Sequence, residues 1–365
     1  MAIVGAGPAG LGMARVLRDL AIPDVCVLER TRIGASFRAW PQSMRFISPS
    51  FPGNAFKLTD LNAITFDTSP AVTLKREHPS GPEYATYLER AAEVFGLPVI
   101  AGVDVQGLKP DGDDLVLHTD RGELRAQFVV WAAGQFQYPD DTGIEGAEHS
   151  IHSSRIKRWS DHPGSEVLVI GGYESGLDAA IGLAAAGKSV TVLSRSPTWD
   201  SNDADPSVAL SPYTRQRLDI ALRRKSIKLI GDADVLALDR SSGSVRVLGA
   251  DGRSWVSSST PILATGYSGS TSVIREWFAF DDGGCPVVTL QDESTELPGL
   301  FLVGPELKHR GHLFCYIHKF RQRFAIVAQA IAGRLGADTS ALDAYRANNM
   351  FLDDLSCCDA ETCLC

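Results

Sequence analysis

The last nine residues of this 365-residue chain hold four cysteines, Cys357, Cys358, Cys363 and Cys365, spaced CC-x4-C-x-C. As thiolates, such side chains exchange electrons with disulfides or hold a soft cation such as mercury, arsenic(III), copper(I) or zinc. Neighbouring Asp353, Asp354, Asp359 and Glu361 disfavour the thiolate and so slow a nucleophile. The other cysteines, Cys26, Cys285 and Cys315, are scattered, which is no disulfide framework. The eight histidines make no zinc-protease pattern, and neither a Gly-x-Ser-x-Gly elbow nor a Walker A loop occurs. No metal-ligand residues are therefore assigned. The four tail cysteines are the candidate catalytic groups.

A second kind of chemistry comes from two glycine turns. IVGAGPAG at 3–10 joins a short apolar stretch to a periodic one at 11–20. Gly5 permits the tight turn, Gly7 lets the backbone approach a pyrophosphate, and Gly10 lets the helix pack on its strand. Pro8 and Ala9 open that helix, whose N-terminal N–H groups face the phosphates. DVCVLER at 24–30 places Glu29 at a strand end 19 residues after Gly10, where a carboxylate accepts the ribose hydroxyls; Arg30 follows it. EVLVIGGYESGLDAAIGLAAAGKSVTVLSR at 166–195 repeats strand, turn, helix and strand. Gly171 and Gly176 take the first and third glycine places and Tyr173 the middle one, among Gly172, Glu174 and Ser175. Ser194 stands where the first unit has Glu29, and Arg195 follows. Loss of the carboxylate removes repulsion of a 2′-phosphate and a guanidinium binds it, so NADPH is expected here.

The elements that must position these turns include WAAGQFQYP at 131–139, ILATGY at 262–267 and ELPGLFLVGP at 296–305. Their order resembles the two-dinucleotide-domain flavoproteins, a group spanning pyridine nucleotide-disulfide oxidoreductases and flavin-containing monooxygenases, with a layout like bacillithiol-disulfide reductases. The resemblance covers residues 1 to 336. It implies an α/β fold of two Rossmann-like domains, the NADPH domain inserted in the FAD domain: 1–140 and 282–336 for FAD, 150–280 for NADPH, and 337–365 a cysteine-rich tail. In such proteins Ala133 and Gly134 would lead out of the FAD domain, Ala264, Thr265 and Gly266 back into it, and the strand ending at Gly304 would lie beside the flavin. Arg38 and Trp40 in GASFRAWP would stand where the resembling enzymes line the isoalloxazine, with Ser36, Phe37 and Trp40 as candidate cofactor contacts. Residues 316–335 read as one helix with Ile317, Phe320, Phe324, Val327, Ile331 and Leu335 on an apolar face opposite Lys319, Arg321 and Arg323. The resemblance points the start of that helix at the flavin pyrimidine, which makes Gly311, His312, Phe314, Cys315 and Tyr316 candidate flavin neighbours. His309, Arg310 and His312 read as a basic cluster, either solvated or facing an anionic substrate.

FAD and NADPH in one chain imply electron flow from nicotinamide to flavin and onward. Three outlets follow. The leading one is a thiol, disulfide or thiophilic acceptor reached through the cysteine tail. The second is a compact flavin-containing monooxygenase that uses a flavin hydroperoxide on a small soft nucleophile; AAGQFQYP, the His152-Ser153 pair and ATGY are similar to its pieces, with Ile144 and Ile156 where aromatics are usual. The third is a non-enzymatic flavin redox sensor. Thioredoxin reductases keep a Cys-x-x-Cys in the NADPH domain, and 166–280 has none. With 35 basic and 44 acidic residues the net charge is −9, which repels nucleic acid and anionic membranes. Gly5, Gly7, Pro8 and Gly10 interrupt the apolar N-terminus, so it does not read as a secretory signal and the cytoplasm is expected. A homodimer is implied by analogy.

Overall fold

The computed structural model describes residues 1–52, 59–141, 143–203, 207–241 and 243–356. The chain divides into two compact units. One comprises residues 1–38, 49–137 and the chain from 269 onward; the other comprises 39–48 and 138–268.

In the first unit, short apolar runs become β1 (Ala2–Val4), β2 (Cys26–Glu29) and β3 (Val99–Ala101). They join β7 (Val129–Trp131) and β18 (Leu300–Leu302) in a parallel sheet of order β18-β7-β1-β2-β3. Ile3 of the central strand pairs with Val27 on one side and Val130 on the other, and every residue of β1 is buried. Such double-sided burial explains why β1, β7 and β18 are continuous apolar runs rather than alternating ones. Helix α1 (Pro8–Asp19) follows β1 with proline in its first turn, where the absent N–H has no intrahelical partner to lose. Two short helices, α2 (Ala35–Ala39) and α3 (Pro70–Leu74), precede α4 (Gly81–Val94), which opens with a reciprocal capping box between Ser80 and Glu83. An antiparallel meander, β4 (Val105–Asp111), β5 (Asp114–Thr119) and β6 (Gly122–Ala126), leads into β7.

The second unit repeats the plan. Strands β8 (Ile151–His152), β9 (Glu166–Ile170), β10 (Ser189–Leu193), β11 (Ile227–Ile230) and β15 (Ile262–Leu263) form a parallel sheet of order β11-β10-β9-β15-β8. Helices α5 (Glu174–Ala185) and α6 (Pro212–Leu222) connect its strands, and β12 (Val235–Ser241), β13 (Ser244–Gly249) and β14 (Ser254–Ser257) make a second meander. Val169, Leu177, Leu183, Val192 and Ile262 fill the core between α5 and the sheet.

The first unit then resumes with the hairpins β16 (Ala279–Phe280)–β17 (Pro286–Val287) and β19 (Lys308–His309)–β20 (His312–Leu313), which flank β18. The helix expected over 316–335 is broken into α7 (Ile317–Phe320), a 3-10 turn at 321–323 and α8 (Phe324–Leu335), and α9 (Leu342–Ala347) follows. The charged face predicted opposite the apolar stripe is not on the surface: Lys319, Arg321 and Arg323 are all buried. The reason is tertiary. Arg321 donates to the carbonyls of Thr59, Asp60 and Ala63, and Arg323 grips Asp292 through both carboxylate oxygens at 3.0 and 2.9 Å. Helical periodicity records which side chains share a face, not what that face meets.

Candidate functional site

The first glycine turn is an interlock between backbone segments. Gly5 has φ +104°, and a Cβ added there would lie 2.6 Å from the Ala132 carbonyl oxygen; one added at Gly10 would lie 1.9 Å from the Gly5 oxygen. Only glycine allows that approach. Gly7 differs, since nothing lies within 4 Å of its added Cβ. Its open side and the uncapped start of α1, with Pro8 and Ala9, leave room and N–H groups for a pyrophosphate. The Glu29 carboxylate spans the turn, accepting from the N–H of Ala6 at 2.9 Å and of Thr31 at 2.9 Å. Arg30 donates to the Gln137 side chain, tying the strand end to the segment after Gly134. Gly304 meets Ala9 at 3.4 Å from its added Cβ, so β18 ends beside the start of α1. Gly134 accepts from the Ser270 N–H at 3.0 Å, and the Ala133 carbonyl accepts from Gln137.

The structure thus brings together Gly5, Gly7, Gly10, Glu29, Arg30, Ala133, Gly134 and Gly304 in the first unit. Ser36 lies in α2, where Phe37 packs on Tyr84 with centroids 4.8 Å apart. Trp40 belongs to the second unit and packs on Phe46 at 5.1 Å. His312 pairs in its hairpin with His309. His309 is not solvated: it is buried, with Nε2 2.6 Å from Asp292 Oδ1.

The second turn keeps the interlock. Gly171 has φ +113° with its added Cβ 2.3 Å from the Ala264 oxygen, and that of Gly176 lies 1.9 Å from the Gly171 oxygen. The Tyr173 hydroxyl donates to the Ala209 carbonyl at 3.2 Å. Glu174 accepts from the Ser211 N–H at 2.6 Å and from the Thr214 hydroxyl, and burial pushes its carboxyl up against those bonds. Ser175 continues the first turn of α5. Gly172 is crowded: its added Cβ would lie 2.4 Å from Ser194 and 2.7 Å from the Trp199 ring. Ser194 is buried and donates to the Ser196 carbonyl at 2.5 Å, while Arg195 is exposed and makes no ion pair among the described residues. Thr265 donates to the Asp140 carbonyl and Gly266 accepts from the Asp140 N–H at 3.0 Å, which pairs the two crossing segments. His152 stands edge-on to Tyr267 at 5.4 Å; desolvation holds its pKa down.

Several residues escaped the sequence reading. Glu306 accepts four bonds at the return crossing, from the N–H and hydroxyl of both Ser270 and Thr271. Asp292, which joins Arg323 to His309, was also missed, as were the bond of Thr198 to the Gly172 carbonyl and those of Arg215 to the Trp199 and Ser201 carbonyls. A carboxylate two residues past Gly304 was a visible signal, whereas its partners lie 35 and 36 residues away in sequence. Among the described residues no group of three His, Cys, Asp or Glu is placed to hold a metal ion. No described helix is long and apolar enough to cross a membrane. The four tail cysteines lie outside the described residues.

Two parallel sheets, each with a glycine interlock between its first strand and the helix that follows, give the layout of the two-dinucleotide-domain flavoprotein oxidoreductases. The chain belongs to the pyridine nucleotide-disulphide oxidoreductase family, whose model matches residues 2–304. FAD and NAD(P)H are the cofactors of this class, and the open face of Gly7 and the exposed Arg195 fit them. An uncharacterized CzcO-like oxidoreductase of Geobacillus kaustophilus is 28% identical over 50% of this chain, which spans about half that relative's length. A ferredoxin–NADP reductase of Gluconacetobacter diazotrophicus is 25% identical over 93% of each chain. A bacillithiol disulfide reductase structure from Staphylococcus aureus superposes with TM-score 0.73 at 20% identity, over 91% of this chain and 98% of that one.

Proposed function

We propose that this protein takes electrons from NADPH through FAD to a thiol, disulfide or thiophilic acceptor in the cytoplasm, with Cys357, Cys358, Cys363 and Cys365 as the relay. In this reading the first unit binds FAD and the second NADPH. FAD, when bound, accepts two electrons; one NADPH and one proton convert one disulfide to two thiols.

The observation that carries the proposal is the anchorage of the arm leading to the cysteines. The Leu352 N–H donates to the Gln322 carbonyl at 3.1 Å, Arg323 donates to the Leu352 carbonyl, and Met350 and Leu355 are buried. The arm therefore leaves from the turn that follows α7, the element that resembling enzymes turn toward the flavin. Two residues beyond Leu355 is at most roughly 7 Å of extended chain and ten roughly 35 Å, which bounds how far from that anchorage the relay can act. The family match and the disulfide reductase named among the structural neighbours agree with this direction.

The test is anaerobic turnover of the FAD-loaded protein with NADPH and an aromatic disulfide that releases a coloured thiol. Thiol release should fall at least tenfold when the four tail cysteines become Ser, while flavin reduction by NADPH is kept. Equal release by that variant removes the relay. When air and a small soft nucleophile are then admitted to a protein that released no thiol, NADPH oxidation that yields the oxygenated nucleophile would instead establish the monooxygenase.

A further inference from the structure

The segment after β10 is stitched to the second glycine turn by groups that the nucleotide motif does not include. Thr198 donates its hydroxyl to the Gly172 carbonyl, inside the turn. Arg215, on α6, donates from Nη1 to the Trp199 carbonyl at 2.9 Å and from Nη2 to the Ser201 carbonyl at 2.7 Å. Pro197 rests on Gly231 beyond the end of β11, with 3.2 Å to an added Cβ there. The half-buried indole of Trp199 covers Gly172 next to Ser194. Five consecutive residues with no regular structure beyond one 3-10 turn are thus held at both ends and in the middle.

In a dinucleotide fold the end of the second strand meets the adenosine ribose. Arg195 stands there, directly before the stitched segment. A guanidinium on a loose loop spends most of its time in water, whereas one on a loop pinned at several carbonyls is pre-organised for an anion. An indole beside the same strand end offers a flat face of the kind that stacks on a base.

We propose that Pro197–Ser201 is a clamp for the adenosine end of the nucleotide, with Trp199 as the stacking face and Arg215 as the positioning residue that lets Arg195 select a 2′-phosphate. The inference rests on reading the second unit as the NADPH site. Arg215 touches no nucleotide in this scheme; its two bonds to carbonyls fix the loop that does.

The experiment titrates the FAD-loaded protein with adenosine 2′,5′-bisphosphate and with 5′-AMP by calorimetry. The unaltered protein should bind the bisphosphate at least tenfold more tightly. Arg215→Met should cut that preference below about threefold, and Arg215→Lys should restore part of it. Trp199→Leu should weaken both probes about equally, because stacking is blind to the 2′-phosphate. If Arg215→Met does not accumulate as folded flavoprotein, Thr198→Val carries the same prediction with Arg215 intact. No preference in the unaltered protein overturns the NADPH reading itself. A preference that survives unchanged in the Arg215 and Thr198 variants leaves NADPH in place and overturns the clamp.

Discussion

The two glycine turns of this protein are alike where helix meets strand and unlike where nucleotide would meet backbone. Both third glycines stand 1.9 Å, measured from an added Cβ, from the carbonyl of the first, and both first glycines press on the crossing strand at Ala132 or Ala264. On the outer side the correspondence ends. Gly7 faces open space, whereas Tyr173 fills the matching place and reaches the Ala209 carbonyl. Glu29 bridges Ala6 and Thr31, whereas Ser194 turns to its own loop beneath Trp199. The packing side tolerates no alternative because its contacts are between backbone atoms. The ligand side is built of side chains and can diverge with the ligand.

The largest effect should come from breaking the shared part. Gly10→Val and Gly176→Val each drive a side chain into a backbone carbonyl that cannot move without the strand. Each should cost more than about 4 kcal/mol, the range reserved for severe core lesions. Thermal melting and the yield of bound flavin measure it, and a near-normal melt for either variant would break the comparison.

One titratable group in each unit should also respond oppositely to acid: His318 in the first and Glu174 in the second. In the first unit burial, then the charges of Arg321 and Lys319, push His318 down to about 4 from an ordinary 6.5. The unfolded chain takes up that proton first, so stability complete above 6.5 is lost as pH falls toward 4, on the order of 3 kcal/mol at most. In the second unit burial raises the carboxyls of Glu174 and Asp178 from 4.5 and 3.8, against the bonds of Thr214 and Ser211 and the charge of Arg217. Here the folded state holds the proton longer, so the stability contributed is full below the ordinary values and fades as pH rises through the raised ones. Melts between pH 4 and 8 should therefore flatten on the acid side in His318→Gln and lose part of their decline with rising pH in Glu174→Gln, Asp178 keeping the rest. Parallel curves for either variant and the parent would refute the assignment.

Gly7→Ala separates folding from binding. Its methyl enters open space, so melting of the flavin-free protein should change by less than about 0.5 kcal/mol, while FAD affinity should fall about tenfold or more as the pyrophosphate loses its close approach. Smaller still is Glu29→Gln. The amide keeps an acceptor for Ala6 and weakens a charge-assisted bond, so flavin affinity should drop by about 1 kcal/mol, read as a roughly fivefold rise in the flavin dissociation constant.

Much of this was legible in residue order. Both turns, the strand ends bearing Glu29 and Ser194, and the class of fold rest on neighbours within about thirty residues, and glycine spacing encodes a steric requirement that no other residue type meets. Trp40 shows where that reading stops. It lies three residues after Phe37, yet the boundary between the units passes between them. Arg321 and Arg323 show the same limit, since an arginine on a helical pattern reads as solvated until its partner is known.

The amino-acid sequence alone determined that two strand-to-helix glycine turns exist, in what order, and that four cysteines crowd into nine residues, because each is written in contiguous residues. The tertiary structure decided which charges are buried, what the acid of Glu306 holds, and where the arm before the cysteines is tied. Arg323 meets Asp292 across 31 residues and Arg321 meets Asp60 across 261. Pairings over such distances depend on how sheets and helices stack, and desolvation makes them obligatory only after that stacking has formed.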